Sequence, residues 1–189
     1  MQLHTKPLSP QTEEDFFTFF DRVAFREHPE WGCDCYCCFF HATDRALWEQ
    51  TTGAENAAQA RRMIRCGQMR GLLAYDGALP IGWCHFDTLA NLPGARTFYG
   101  ALATGAPEDG AIVCFTIAQG FRGQGVAKRL LEDALAQLAA MGVRRVEAYP
   151  LLAGNDPEHH YHGPLALYTG QGFAQVREHE GMALVEKLL

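Results

Sequence analysis

The stretch from Ala111 to Leu152 constrains this chain more than any other. It reads AIVCFTI, AQGFRGQG, VAKRLLEDALAQLAAMG and VRRVEAYPLL in succession. The first run is short, apolar and rich in β-formers, as a buried strand is. The third places apolar residues at 127, 130, 131, 134, 135, 138 and 141, a 3.6-residue period that stops at Gly142. A further strand follows over 143–149. A strand, a long helix and a second strand make a crossover, and such crossovers join parallel neighbours. The chain is therefore expected to be α/β, a mixed sheet with helices packed on it.

The rest of the chain is read around that unit. LSPQTEEDFFTFFDRVAF predicts one helix, with Ser9 or Thr12 as cap and Phe16, Phe19, Phe20 and Val23 as its apolar stripe. Residues 42–67 predict a helix in two pieces, broken near Gly53 and stopped at Gly67. GLLAYDGALPIGWCHFD predicts a hairpin turning at Asp76-Gly77. Residues 88–110, rich in Gly, Pro and Ala, read as an irregular connection. A short helix beginning near Pro164 and a last hairpin through Glu180-Gly181 complete the reading.

The junction TIAQGFRGQGVAKRLL carries the chemistry. Gly120, Gly123 and Gly125 stand where a strand must turn directly into a helix. Glycine allows positive φ and close approach of a ligand to the main chain. A helix start offers unpaired N–H groups and partial positive charge, which suits phosphate. Arg122, Lys128 and Arg129 add local positive charge, with no acid before Glu132. The dinucleotide fingerprint G-x-G-x-x-G is not met; the spacing is R-G-x-G-x-A.

Arg122-Gly123-Gln124-Gly125-Val126-Ala127 resembles the Q/R-x-x-G-x-G/A signature of the GNAT superfamily of acetyl-coenzyme A-dependent N-acetyltransferases. The likeness extends over about residues 70–189, from the hairpin at 71–87 to LYTGQGF, which is similar to the family's L-Y-x-x-x-G-F. It implies a GNAT-like acyl-CoA N-acyltransferase fold spanning residues 1–189 as one domain. Residues 1–70 would be the variable acceptor side and 71–189 the acetyl-CoA-binding core. It also implies a pyrophosphate held by the main chain of Arg122 through Ala127. The pantetheine arm would lie along the strand that carries Phe115 and Ile117. Acetyl-CoA is then the co-substrate, with no metal expected, and a homodimer is compatible with the family.

Acetyl transfer to an amine needs a neutral nitrogen, a stabilised oxyanion and a protonated leaving thiolate. Tyr168 stands where the family carries its general acid; the other reading is a buried aromatic that anchors the short helix. Many relatives carry a glutamate on the signature strand as base, yet AIVCFTI has no carboxylate. Glu147 on the next strand is the first candidate base, against a salt bridge with Arg145. His85 is the alternative, with a suitable reference pKa. An asparagine common after the last crossover strand has only Asn155 to match it. The loop 153–163, with His159, His160 and His162, reads as an acceptor lid, a metal-binding run or a solvated loop.

EWGCDCYCCFFH places Cys33, Cys35, Cys37 and Cys38 within six positions. If extended, alternate residues lie about 6.6 Å apart. Zinc needs its sulfurs about 3.8 Å from one another. An extended strand would therefore chelate poorly, whereas a tight turn together with His41 could still do so. An adjacent Cys37–Cys38 disulfide would be strained. Reduced cysteines used as small buried hydrophobes remain, with Cys33, Cys35, Cys37 and Trp31 on one face and Tyr36 and Cys38 on the other. The segment also resembles a Trp/Cys-rich stretch in other GNAT sequences. That implies an acceptor-pocket wall drawn from Trp31, Cys35 and Tyr36, with His85 near it.

The net charge of −6 argues against general affinity for nucleic acid or anionic membrane. The first residues contain no apolar stretch of signal-peptide length, so a cytoplasmic location is expected. The seven cysteines would then be mostly reduced. The acceptor is expected to be a small-molecule amine, because nothing resembles a peptide-binding appendage. The competing class is a non-catalytic thiol-rich metal-binding or redox-sensing protein on the same scaffold.

Overall fold

A computed structural model describes residues 2–28, 34–152 and 161–189. Its centre is one seven-stranded sheet in the order β1-β2-β3-β4-β5-β7-β6. The strands are β1 (Leu3–Pro7), β2 (Gly71–Asp76), β3 (Leu79–Thr88), β4 (Gly110–Ile117), β5 (Arg145–Ala148), β6 (Ala174–His179) and β7 (Met182–Leu188). Only β4 and β5 pair in parallel, joined by the crossover helix α5 (Val126–Ala140). The remaining helices are α1 (Glu13–Thr18), α2 (Arg45–Trp48), α3 (Gly53–Arg65), α4 (Pro93–Tyr99) and α6 (Leu165–Thr169).

The central strands β2 to β5 are buried on both faces, and alternation along each strand decides which face a residue serves. Cys84, Phe86, Ile112 and Phe115 meet Val126, Leu130, Leu131 and Ala134 of α5. That is the apolar stripe read from the sequence. On the opposite face Trp83, Val113 and Cys114 meet Phe16, Phe19 and Phe20. Trp83 is fully buried, edge-on to Phe16 with ring centroids 5.0 Å apart. Burying side chains of this size contributes about 1.5–3 kcal/mol each.

Both predicted hairpins form. Gly77 (φ 59°) turns β2 into β3, and Glu180-Gly181 (φ 49° and 78°) turns β6 into β7. The break at Gly53 is a fresh start for α3. Thr52 accepts from the Glu55 N–H, and the Glu55 carboxylate accepts from the Thr52 N–H at 2.8 Å, a reciprocal cap.

Three expectations need correcting. The first helix ends at Thr18 and continues as a single π-turn, Phe19–Val23. Thr12 does not cap it, because its hydroxyl donates to the Pro7 carbonyl at 3.0 Å. Residues 88–110 contain α4, opened by Pro93, rather than an irregular connection throughout. Leu3–Pro7 forms an edge strand on β2, stabilised by its partner more than by its own composition: His4 stacks on Tyr75 and Lys6 lies 4.6 Å over the same ring.

α4 matters for function because it seats the Cys38–His41 turn. A Cβ on Gly94 would stand 2.7 Å from the Phe40 carbonyl carbon and oxygen, which are backbone atoms and cannot swing away. Gly94→Ala is expected to destabilise the protein by about 1–3 kcal/mol. Urea unfolding would show it as a lower midpoint with an unchanged slope.

Candidate active site

β4 and β5 part company early. They pair only at Gly110–Val146, Ala111–Glu147 and Ile112–Ala148. At the same place the β3–β4 register shifts between His85 and Phe86, whose partners are Cys114 and Ile112. Val113 is therefore the extra residue of a β-bulge, a feature common beside active sites. Beyond it, Cys114–Ile117 lies on β3 alone, with the edge that faced β5 open. The result is a wedge.

At the mouth of the wedge the chain turns into α5. Gly123 (φ 72°) and Gly125 (φ 83°) are left-handed, and a Cβ on either, or on Gly120, would meet nothing within 4 Å. The Arg122 guanidinium donates to the Ile117 carbonyl at 3.1 Å, and the Gln124 amide to the Gly120 carbonyl at 2.7 Å. The loop is thus braced from within while its outer side stays clear. No side chain caps α5, and its first turn holds no acid. Unpaired N–H groups, Lys128 and Arg122 converge on open space, an arrangement suited to phosphate.

One cleft of about 790 Å³ joins this turn to the wedge and to the amino-terminal third. At the turn it is lined by Arg122, Gly123, Gly125, Val126, Ala127 and Lys128, and along β4 by Cys114 through Ile117. Its far end is walled by Phe20, Phe25, Phe39, Phe40, Trp48 and Tyr161, with Cys35 and Cys37 between them. The structure therefore brings Phe115, Ile117, the glycine turn and Cys35 to one cavity. Gln124 belongs to the brace, not the lining.

The cysteine segment is not extended. Tyr36 (φ 40°) and Cys37 (φ 55°) are left-handed, and Cys38–His41 is a 3-10 turn. The expected split into two faces fails for that reason. Cys37 points inward, accepts from the Trp83 indole at 3.1 Å, and lies 3.9 Å from the Cys114 sulfur. Hydrogen bonds with Cys114 and Cys35, together with burial, push its thiol up. Cys38 bonds to the Asn56 carbonyl at 3.4 Å, and burial pushes it up to about 12. Tyr36 packs on Phe17 and donates to Asp21 at 2.8 Å, outside the cleft lining. Trp31, Cys33, Asn155, His159 and His160 lie outside the described residues. Among the described residues no three His, Cys, Asp or Glu side chains gather as a metal-ligand set.

The catalytic assignments fare unequally. Tyr168 is buried, and its hydroxyl donates to the His162 carbonyl at 2.7 Å, just beneath Gly163 and Leu167 of the cleft lining. Burial holds its phenol well above the usual range. Glu147 has no access to the cleft. It is fully buried, accepts from the Tyr149 hydroxyl, and lies 3.2 Å from Arg145. Arg145 also pairs with Asp109 at 2.7 Å and with Glu186. Burial raises the Glu147 carboxyl, opposed by Tyr149 and Arg145. Its contacts are those of the structural alternative, an ion-pair anchor.

His85 is likewise fully buried and off the cleft lining. Its Nε2 lies 3.2 Å from Nε2 of His41. His41 also bonds to the Asn91 backbone. If that bond uses its Nδ1–H, the His41 Nε2 is an acceptor and His85 supplies the shared proton. His85 Nδ1, which has no partner, then keeps only a bare lone pair. Tyr149 and the Val113 bulge carried no signal in the sequence, because each is defined by a distant strand, and His41 was weighed there only as a partner of the cysteines.

Burial depresses both histidines, His41 to about 4 and His85 well below its usual range, with His41 adding to the effect on His85. A depressed folded-state pKa means that the unfolded chain binds more protons below about 6.5. Stability is then full above pH 6.5 and falls as pH drops toward 4. Urea unfolding at pH 7 and pH 5 should differ by at least about 1 kcal/mol from this pair. His85→Gln should flatten that difference.

Comparison with known proteins agrees with this geometry. No curated protein sequence matches the chain. The solved GNAT domain of Streptomyces lividans PAT superposes with a TM-score of 0.62 at 20% identity, covering 99% of this chain and 90% of that one. PaiA N-acetyltransferase from Thermoplasma acidophilum, solved with coenzyme A, gives 0.60 at 12% identity with both chains fully covered. A phosphinothricin acetyltransferase from Sinorhizobium meliloti, solved with acetyl-CoA, gives 0.57 at 17%, covering 100% of this chain and 89% of that one. These likenesses carry the fold. The family model for the acetyltransferase (GNAT) family matches residues 13–163, and the chain belongs to that family.

Proposed function

We propose that the protein transfers the acetyl group of acetyl-CoA to a primary amine of a small molecule, by direct attack in a ternary complex. The observation that carries this is the continuity of one cleft from the Gly123–Gly125 turn, along the freed edge of β4, to a walled chamber at the other end. The turn's N–H groups and Lys128 would hold the pyrophosphate. The β4 main chain around Phe115 and Ile117 would take the pantetheine arm as an added strand. The Ile117 carbonyl already accepts from Arg122, so its N–H is the group left to offer. Residues 71–189 act as the coenzyme core and 1–70 supply most of the chamber wall. We place the reaction in the cytoplasm.

In the reaction the amine nitrogen bonds to the thioester carbonyl carbon, the carbon–sulfur bond breaks, and the thiolate leaves. Tyr168 is the proton donor to that sulfur. Its O–H must swing from the His162 carbonyl to the thiolate, and the pKa that burial raises keeps the phenol protonated until that thiolate forms. The proton shed by the new amide nitrogen restores the balance.

Calorimetry with acetyl-CoA tests the first half. The intact protein should bind it in the micromolar range, and Gly125→Glu should weaken binding by at least about tenfold, equivalent to 1.4 kcal/mol. A carboxylate would then face the phosphates from a φ of 83°. The left-handed strain should cost about 1–2 kcal/mol of stability, leaving the fold intact. No binding by the intact protein would end the reading.

Tyr168→Phe tests the second half. It should lower kcat by about 10²-fold while coenzyme affinity stays nearly constant. Unchanged turnover would leave Tyr168 as the helix anchor alone.

A further inference from the structure

The far chamber has a composition that its polypeptide neighbourhood does not require. Phe20, Phe25, Phe39, Phe40, Trp48 and Tyr161 supply its walls, and thiols supply the gaps. The rings are fixed before any ligand arrives. Phe39 is stacked on Phe98 with centroids 3.6 Å apart, and meets Phe40 and Trp48 edge-on at 5.0 and 5.6 Å. Phe20 is locked against Phe16, Phe19 and Trp83. A preformed wall of ring faces and edges is complementary to a flat ring. Sulfur between rings adds polarizable contact of the same kind.

Charge is distributed just as unevenly. Among the described lining residues the charged side chains are Arg122 and Lys128, both cations at the coenzyme end. Asp87 and Glu147, the acids buried on this face of the sheet, are engaged from other elements. Asp87 is held by Arg70, Asn91 and its neighbour's N–H, and Glu147 by Tyr149 and Arg145. An ammonium entering the chamber would lose its water and meet, among the described lining residues, rings and thiols in place of a carboxylate.

We infer that the acceptor is a small primary amine carried on a flat aromatic body, and that it enters the chamber uncharged. This deepens the acetyl-transfer reading and rests on it. The step balances without a resident base. The neutral nitrogen attacks the thioester carbon, the C–N bond forms as the C–S bond breaks, and one N–H proton leaves the nitrogen while the departing sulfur gains one. Part of the 790 Å³ must hold the pantetheine arm, so the room left suits one or two rings rather than an extended chain.

The test uses the full chain with acetyl-CoA, following thiol release and confirming the acetylated product by mass. The acceptors are 4-methylaniline, 2-phenylethylamine, spermidine and a short peptide with a free amino terminus. Either aromatic amine should exceed spermidine and the peptide in kcat/KM by at least about tenfold. With 2-phenylethylamine, kcat/KM should rise by about tenfold per pH unit between pH 6 and 8, following the free-base fraction. Trp48→Ala, or Trp48→Leu if the first is poorly folded, should raise KM for the aromatic amine by about tenfold while the acetyl-CoA Kd is unchanged. Preference for spermidine or the peptide, a flat pH profile, or an unmoved KM would overturn the inference. Acetyl-CoA titration of the same sample separates the two layers. Coenzyme binding without aromatic preference overturns the acceptor class alone, and absence of coenzyme binding overturns the acetyl-transfer reading beneath it.

Discussion

The cleft that joins the glycine turn to the aromatic chamber depends on β4 and β5 separating after Ile112 and Ala148. Parallel strands would normally continue to pair, since an open edge leaves main-chain groups without partners. Here the continuation is blocked from both sides. Val113 bulges on β4 and turns the following residues away. On β5, Tyr149 leaves the ladder to stack on Tyr99 with ring centroids 3.9 Å apart, and Pro150 follows with no N–H to give. The Pro150 carbonyl is meanwhile taken by the N–H of Ala183 on β7, which fixes the departing chain against the other neighbour. The wedge is thus a consequence of side-chain packing below the sheet. The glycine turn and the chamber are positioned by its two sides.

The cysteine-rich segment shows how a local motif can mislead. Read as a strand, it offers alternating thiols to two faces. The chain instead passes through two consecutive left-handed residues, Tyr36 and Cys37, and enters a 3-10 turn. Neither residue favours that conformation, which for a non-glycine residue costs on the order of 1–2 kcal/mol. The contacts that offset it are remote in sequence: the Trp83 indole on Cys37, the Asn56 carbonyl on Cys38, and Asp21 under the Tyr36 hydroxyl. Cys37 and Cys38 are buried as small apolar groups, as their chemistry suggests, whereas Cys35 is exposed. Which thiol meets which partner was decided by the sheet.

That division runs through the whole fold. The crossover, α5, the glycine turn and both hairpins were legible because each is written in a few adjacent residues: a period of 3.6, glycines at a strand–helix joint, Asp76-Gly77 and Glu180-Gly181. β1 was not legible, since Leu3–Pro7 is a strand by virtue of Tyr75 and its neighbours on β2. α4 hid inside a Gly/Pro/Ala-rich stretch, because its stability comes from packing on Phe40 and not from propensity. At the site, the lining glycines were readable, while for Glu147 two readings stood side by side. A carboxylate in the middle of a strand announces that something must compensate it, and Arg145 two residues away was the visible partner. Only the arrangement in space adds Tyr149 and places both outside the cleft lining.

The same arrangement explains why the chamber is so bare of charge. The acceptor-side face of the sheet carries several ionisable groups, and the structure turns each toward another. His85 meets His41, Asp87 meets Arg70, and Glu147 sits beneath Tyr149 beside an arginine that also binds Asp109 and Glu186. Buried polar groups demand partners, and a group satisfied from below has little left to offer a ligand above. Among the described residues, what remains facing this end of the cavity is what needs no partner: rings, thiols and a bulged main chain. Positive charge is confined to the far end, where the turn opens. Under the proposed acetyl transfer, a site built this way would discriminate along its length, holding an anionic coenzyme at one end by charge and a neutral acceptor at the other by shape. The reacting carbonyl would then lie where the two regimes meet, beside Cys114 and Phe115 at the head of the wedge.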